Sequence, residues 1–179
     1  MNERPSAQTK DAVPRVGVGV LLVDTQKRVL LTLRRRAPEA GCWSIVGGKV
    51  DFLERLEHCA VREAREEAGV DVELIRLLCV TDHVLPNEEQ HWVAPAYLGR
   101  IVSGNARNCE PDKTREVRWF EIGSIPQNLT MTARNAIGAY LRERHVVEGC
   151  PPPAQTTNRP RNGVGLEGQL KVPQRANWP

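Results

Sequence analysis

Apolar and polar positions along the chain fall into blocks whose lengths and periods predict strands and two helices. Val16–Asp24 and Arg28–Leu33 are β-rich runs flanking Thr25-Gln26-Lys27, a short hairpin connection. Trp43–Val46 predicts another short strand, running into Gly47-Gly48. Glu54–Ala68 is free of Pro and Gly, is built mainly of strong helix formers, and meets a terminator at Gly69. Val72–Val84 and Gln90–Val102 predict two strands across the polar turn Pro86-Asn87-Glu88-Glu89, and Arg115–Glu121 a further strand. Thr130–His145 predicts a second helix. Thr130 or Thr132 caps it, and Ala136, Ile137, Tyr140 and Leu141 form its apolar face. Strands mixed with two helices indicate an α+β domain or an α-β-α layering.

One helix departs from the amphipathic rule. Along a single face run Leu56, Cys59 and Ala60, then Glu63, Glu66 and Glu67, then Val70. The first turns are apolar, as packing requires, and then three carboxylates take the positions a core would claim. At 100° per residue they fall within an arc of about 100°, so their oxygens converge. Anions gathered this way repel one another and lose solvation, which calls for a cation. Arg62 and Arg65 stand beside them, but a hard divalent ion such as Mg²⁺ is the better match to clustered carboxylates and phosphate oxygens. Entry from the Gly-rich segment Val46-Gly47-Gly48-Lys49 lets backbone carbonyls approach a metal and Lys49 approach a phosphate.

Composition narrows the classes. Of the formal net charge of +3, residues 1–15 hold +1 and residues 147–179 hold +2, which leaves the body from 16 to 146 neutral. A neutral body steers poorly toward duplex nucleic acid, so no nucleic-acid polymer is expected as partner. No apolar run approaches the roughly 18–20 residues that cross a bilayer, so no membrane partner is expected either. The five cysteines are odd in number and lack any Cys-x-x-Cys pair, which argues for reduced thiols in a cytoplasmic protein. Residues 1–15 read as a flexible arm, 16–146 as the domain, and 147–179 as a Pro- and Gly-rich disordered tail.

Gly48, five residues, Glu54, seven residues, Arg62-Glu63-Ala64, one residue, Glu66-Glu67, one residue, Gly69-Val70: this arrangement resembles a complete Nudix box. The resemblance extends from about Val16 to Leu141. It implies the Nudix fold, a mixed β-sheet sandwiched between helices, and metal-dependent hydrolysis of a nucleoside diphosphate linked to another moiety. It further implies that Glu63, Glu66 and Glu67 hold Mg²⁺ or Mn²⁺, with the Gly47 carbonyl as a further ligand. Arg62 would orient the carboxylates, Glu54 would support it, and one glutamate would take the proton of the attacking water. Two positions depart from the common pattern: Val46 replaces a Pro and Leu53 replaces a Gly.

Outside the box, His91-Trp92-Val93, Glu110-Pro111-Asp112-Lys113 and Glu116-Val117-Arg118-Trp119-Phe120 resemble the MutT-like group. That resemblance implies cleavage of a nucleoside triphosphate to monophosphate and pyrophosphate; the expected assembly is a monomer or homodimer. Glu116 is then the candidate to complete the metal site, with Glu110 its rival. Lys49 and Arg34 are candidates for the phosphates and Trp92 for stacking on the base. Pro86, sixteen residues past Val70, points instead to an ADP-ribose or nucleotide-sugar pyrophosphatase. A non-catalytic nucleotide-sensing module is the reading from another class, and the intact glutamates argue against it. His58, His83, His91 and His145 show no ligand spacing and receive no role.

Overall fold

The computed structural model describes residues 13–149, with side chains through residue 144. The expected arm therefore lies outside the described residues except at 13–15, and the expected tail except at 147–149. Arg15 already belongs to the first strand, and 147–149 belong to the last helix.

Among the described residues seven strands and two α-helices follow in order: β1 (Arg15–Leu22), β2 (Val29–Arg34), β3 (Trp43–Ser44), β4 (Val46–Lys49), α1 (Leu56–Ala68), β5 (Asp71–Leu85), β6 (Gln90–Ser103), β7 (Thr114–Phe120) and α2 (Met131–Gly149). The class is α+β, as the block pattern predicts. The strands divide between a four-stranded sheet, ordered β4-β1-β6-β5, and a three-stranded one, ordered β3-β2-β7. The first is mixed: β1 runs parallel to β6 and antiparallel to β4.

The single strand expected at Trp43–Val46 is two, because the chain changes sheets at Ile45. Trp43 and Ser44 pair with β2, while Val46 to Lys49 pair with β1. Central β1 is covered on both faces, which is why it reads as a nearly unbroken apolar run. Val18, Val20 and Leu22 pack with Cys59, Ala60, Ala64 and Ala68 of α1. Leu21 points the other way, into a cluster with Ile45, Ala96 and Ala133, Ala136 and Ile137 of α2. Each helix thus closes one core.

Both helices end as their sequences dictate. Gly69 adopts the left-handed conformation (φ 66°), and its amide reaches the carbonyls of Ala64 and Arg65. At the start of α2, Thr130 caps: its Oγ1 accepts the Ala133 amide at 3.2 Å. Among the described residues no helix is long and apolar enough to cross a membrane.

Candidate active site

Helix α1 packs through an alanine stripe, Ala60, Ala64 and Ala68, all with no exposed surface. Small side chains bring the helix close to β1, and this closeness decides the fate of the three glutamates. Glu63 is 9% exposed and Glu67 half-buried, while Glu66 lies at the rim with about half its side chain in solvent. Glu66 sits about 160° around the helix from Ala64, which is why it stays outside.

Arg62 ties the carboxylates together. Its Nε and Nη2 donate to the two oxygens of Glu54 at 2.8 and 3.0 Å, a bidentate pair. Its Nη1 donates to Glu63 Oε1 at 2.8 Å and to Glu66 Oε2 at 3.0 Å. Arg62, with support from the Asp51 amide, holds the Glu54 carboxyl at about 2. The same bonds raise the guanidinium above its ordinary value. Burial pushes the Glu63 carboxyl up, with Arg62 opposing. For Glu67, burial pushes the carboxyl up to about 8. The Gly47 amide opposes the rise, and the charges of Glu63 and Glu110 add to it.

Strand β4 meets the glutamates through its two glycines. The Gly47 amide donates to Glu67 Oε2 at 3.0 Å. A Cβ on Gly48 would stand 2.3 Å from Glu63 Oε1, so the carboxylate lies flat against the backbone there. The two departures from the box pattern are also explained. Val46 is a fully buried strand residue paired with Val20. Leu53 takes the left-handed conformation (φ 67°) that glycine adopts freely, with its side chain almost entirely in solvent.

The two rivals separate in space. Glu116, on β7, is half-buried and paired with Arg118, its Oε1 accepting Arg118 Nε at 2.6 Å. Glu110 lies near enough to Glu67 for its charge to act on that carboxyl. The loop before β7 is fastened to the end of α1 by the Arg107 and Cys109 amides, which donate to the Ala68 and Glu67 carbonyls at 3.0 Å each. One Glu110 oxygen accepts Lys113 Nζ at 2.6 Å. The other, Oε2, is buried with no hydrogen-bond partner among the described residues. The Lys113 charge in turn faces Glu63 and Glu67.

Among the described residues no three His, Cys, Asp or Glu side chains stand in ion-holding geometry. Arg62 engages Glu63 and Glu66, while Glu67 bonds the Gly47 amide and Glu110 bonds Lys113. The donor chemistry nevertheless fits a hard divalent cation: clustered carboxylates beside a glycine-rich backbone, with a buried Glu110 oxygen unsatisfied.

On the far side of β4 opens a cleft of about 240 Å³. Lys49, Arg34 and Trp92, chosen from sequence for phosphate and base, all line it. Arg34 is steadied by donating its Nε to the Pro38 carbonyl at 2.7 Å. The Trp92 indole N–H is spent on Gln90 Oε1 at 2.8 Å, so what it offers a ligand is a ring face. His83 and Glu39 line the same cleft, and the sequence reading assigned neither a role. Forty-four positions separate them, so no local spacing signals the pair.

Residues 13–140 match the NUDIX domain model. In solved structures, a MutT NUDIX hydrolase from Burkholderia pseudomallei is 46% identical. The alignment covers 71% of this chain and 98% of that one, with a TM-score of 0.68. An oxidized purine nucleoside triphosphate hydrolase from Danio rerio is 33% identical over 60% of this chain and 67% of its own length. The NAD-capped RNA hydrolase NudC of Stutzerimonas stutzeri is 28% identical over 78% of this chain, and the matched stretch spans 49% of that longer relative. With a complete box on the strand, loop and helix that position it, the chain belongs to the NUDIX family of hydrolases.

Proposed function

We propose that the protein hydrolyses a nucleoside triphosphate to the monophosphate and pyrophosphate. One observation carries the reading: the cleft and the buried glutamates share the Gly47–Gly48 backbone as a common wall. A nucleoside seated against Trp92 would run its phosphates past Lys49 and Arg34 toward Glu63 and Glu67. Glu63, Glu66 and Glu67, the Gly47 carbonyl, and Glu110 in preference to Glu116 would hold Mg²⁺ or Mn²⁺. Bound there, the ions would neutralise the diphosphate and lower the pKa of coordinated water. Arg62 keeps Glu63 and Glu66 in register, and Glu54 keeps Arg62 in place. One of the three box glutamates accepts the proton of the attacking water.

A second reading has support in the 28% identical relative named for NAD-capped RNA, whose name points to a nucleoside diphosphate joined to another moiety. ADP-ribose or a nucleotide sugar would be the small-molecule counterparts. A phosphate assay with added pyrophosphatase and Mg²⁺ distinguishes these readings. Phosphate from triphosphates that appears only when pyrophosphatase is present supports the first. Phosphate from ADP-ribose only after alkaline phosphatase supports the second. Binding without turnover would overturn both and leave a nucleotide-sensing module. The same reading makes the protein a cytoplasmic enzyme, monomeric or homodimeric. Cys42, Cys59, Cys79 and Cys109 are all free thiols, as a reducing compartment would keep them.

A further inference from the structure

The cleft holds two polar side chains that hydrolysis does not use. His83 projects from β5 and is 6% exposed. Its Nε2 is buried with no hydrogen-bond partner among the described residues. Glu39 Oε2 lies 3.3 Å from that nitrogen, within ion-pair distance but outside hydrogen-bond geometry. A buried polar atom left unpaired costs free energy unless a ligand satisfies it. Glu39 itself is held from two sides. Its Oε1 accepts the Met131 amide at 3.0 Å, and its own amide donates to Glu88 Oε1 at 3.3 Å. Its backbone sits in the left-handed region (φ 55°), an unfavourable conformation for a residue with a side chain. Strain of this kind persists where surrounding contacts fix a side chain's direction.

Taking the proposed hydrolysis as given, we propose that His83 and Glu39 read the edge of the substrate's base. The base they select has a ring N–H beside a carbonyl, as in guanine and hypoxanthine, in preference to adenine. A carboxylate only accepts, and it gains most from the more acidic donor, which is a lactam ring N–H rather than an exocyclic amine. The neighbouring carbonyl then accepts from His83 Nε2, which satisfies the unpaired nitrogen. In the same pose adenine reverses the order: its bare ring nitrogen meets the carboxylate and its amino group meets the imidazole donor. Trp92, with its N–H already spent, supplies a face for any base and no discrimination.

The test is kcat/KM for GTP, ITP and ATP, measured on the wild type, His83→Ala and Glu39→Gln, with thermal melts to confirm folding. A site built to pair with a base edge should favour GTP and ITP over ATP by at least about tenfold, and by up to about 10⁴-fold where the mismatched groups are left unpaired. Each substitution should shrink that ratio about tenfold, mainly through the KM for GTP and ITP. Equal use of the three by the wild type, or an unchanged ratio in folded variants, overturns the assignment. Should the wild type hydrolyse none of them, the functional reading fails instead. Equilibrium binding of GMP, IMP and AMP to the wild type then decides the base assignment alone: preference for GMP and IMP keeps it, and equal binding ends it.

Discussion

Glu67 concentrates the conflict on which the site is built. It is an acid pushed from an ordinary value of 4.5 to about 8, first by burial, a rise opposed by the Gly47 amide and, more weakly, by the charge of Arg34. Between those two values the folded protein binds a proton that the unfolded chain has released. The metal-free protein is therefore most stable below about pH 4.5 with respect to this group, and loses stability as pH climbs to about 8. Roughly three units at ~1.4 kcal/mol each set a loss of a few kcal/mol. In EDTA, urea midpoints of the wild type should fall from pH 5 to pH 9. Glu67→Gln should flatten that slope while cutting kcat by several orders of magnitude in Mg²⁺. A more stable, inactive variant would show that the carboxylate is kept for chemistry, and one with near-full activity would refute its role. The same logic separates the two acids near β7. Glu110→Gln should lower apparent Mg²⁺ affinity by at least about 10–100-fold, the cost of losing even a group that only supports a ligand, whereas Glu116→Gln should change it less than about twofold. Titrating activity against Mg²⁺ reads both. The sequence did not favour Glu110, because its position depends on two amides docking on the carbonyls that end α1. Only the folded chain brings that contact about.

Strand β4 and helix α1 show how a local rule becomes a site. The 3.6-residue period and the run of strong helix formers made α1 legible, and its carboxylates stood out because they broke the apolar stripe. The stripe itself was partly misplaced in the sequence reading. The tightest packing runs through Ala60, Ala64 and Ala68, and Glu66 falls outside it. Alanine carries little hydrophobic signal, so burial by close approach is hard to see before the partner strand is known. Two glycines permit that approach, and they should respond differently to a methyl group. On Gly47 a Cβ would stand 2.1 Å from the Val18 carbonyl oxygen and 2.8 Å from Gly19 Cα, both backbone. Gly47→Ala should therefore cost about 3 kcal/mol of stability by urea melting. On Gly48 the clash is with the Glu63 carboxylate, a side-chain tip that rotates away. Gly48→Ala should cost less than about 1 kcal/mol yet lose most activity, because the displaced group is a proposed ligand. Leu53 offers the opposite case. Its left-handed backbone is strained and its side chain is solvated, so Leu53→Gly should raise stability by about 0.5–1 kcal/mol. An unchanged or lower urea midpoint would mean that the exposed leucine makes contacts that offset the strain.

Taken along its length, the chain shows which kinds of information sequence carries. Element order and class were legible because burial imposes periods of 2 and 3.6 residues. The two-sheet division was not, because it rests on pairing between distant segments: β1 and β2 join different sheets across a connection that reads as a hairpin, and the chain changes sheet again at Ile45 between β3 and β4 and between β6 and β7. The cleft was only half legible. Lys49 adjoins the box, but His83 and Glu39 meet across the fold. Chain economy gives the last prediction. Every cleft residue lies at or before Thr132, the family match ends at residue 140, and α2 continues to Gly149. Residues 150–179 lie outside the described part, and their Pro- and Gly-rich composition supplies few large apolar groups to offset ordering entropy. We therefore propose that 1–149 is sufficient. Removing 150–179 should leave kcat/KM within about twofold and Tm within about 2 °C, less than a 1 kcal/mol effect produces in a domain of this size. Ending at residue 140 instead removes Leu141, which packs against the cluster beneath α2, and should lower Tm by several times that margin. Melting curves and turnover of the three lengths decide the matter. A large loss on removing 150–179 would mean that those residues contribute to the stability of the enzyme, and equal Tm values for 149 and 140 would mean that the end of α2 does not.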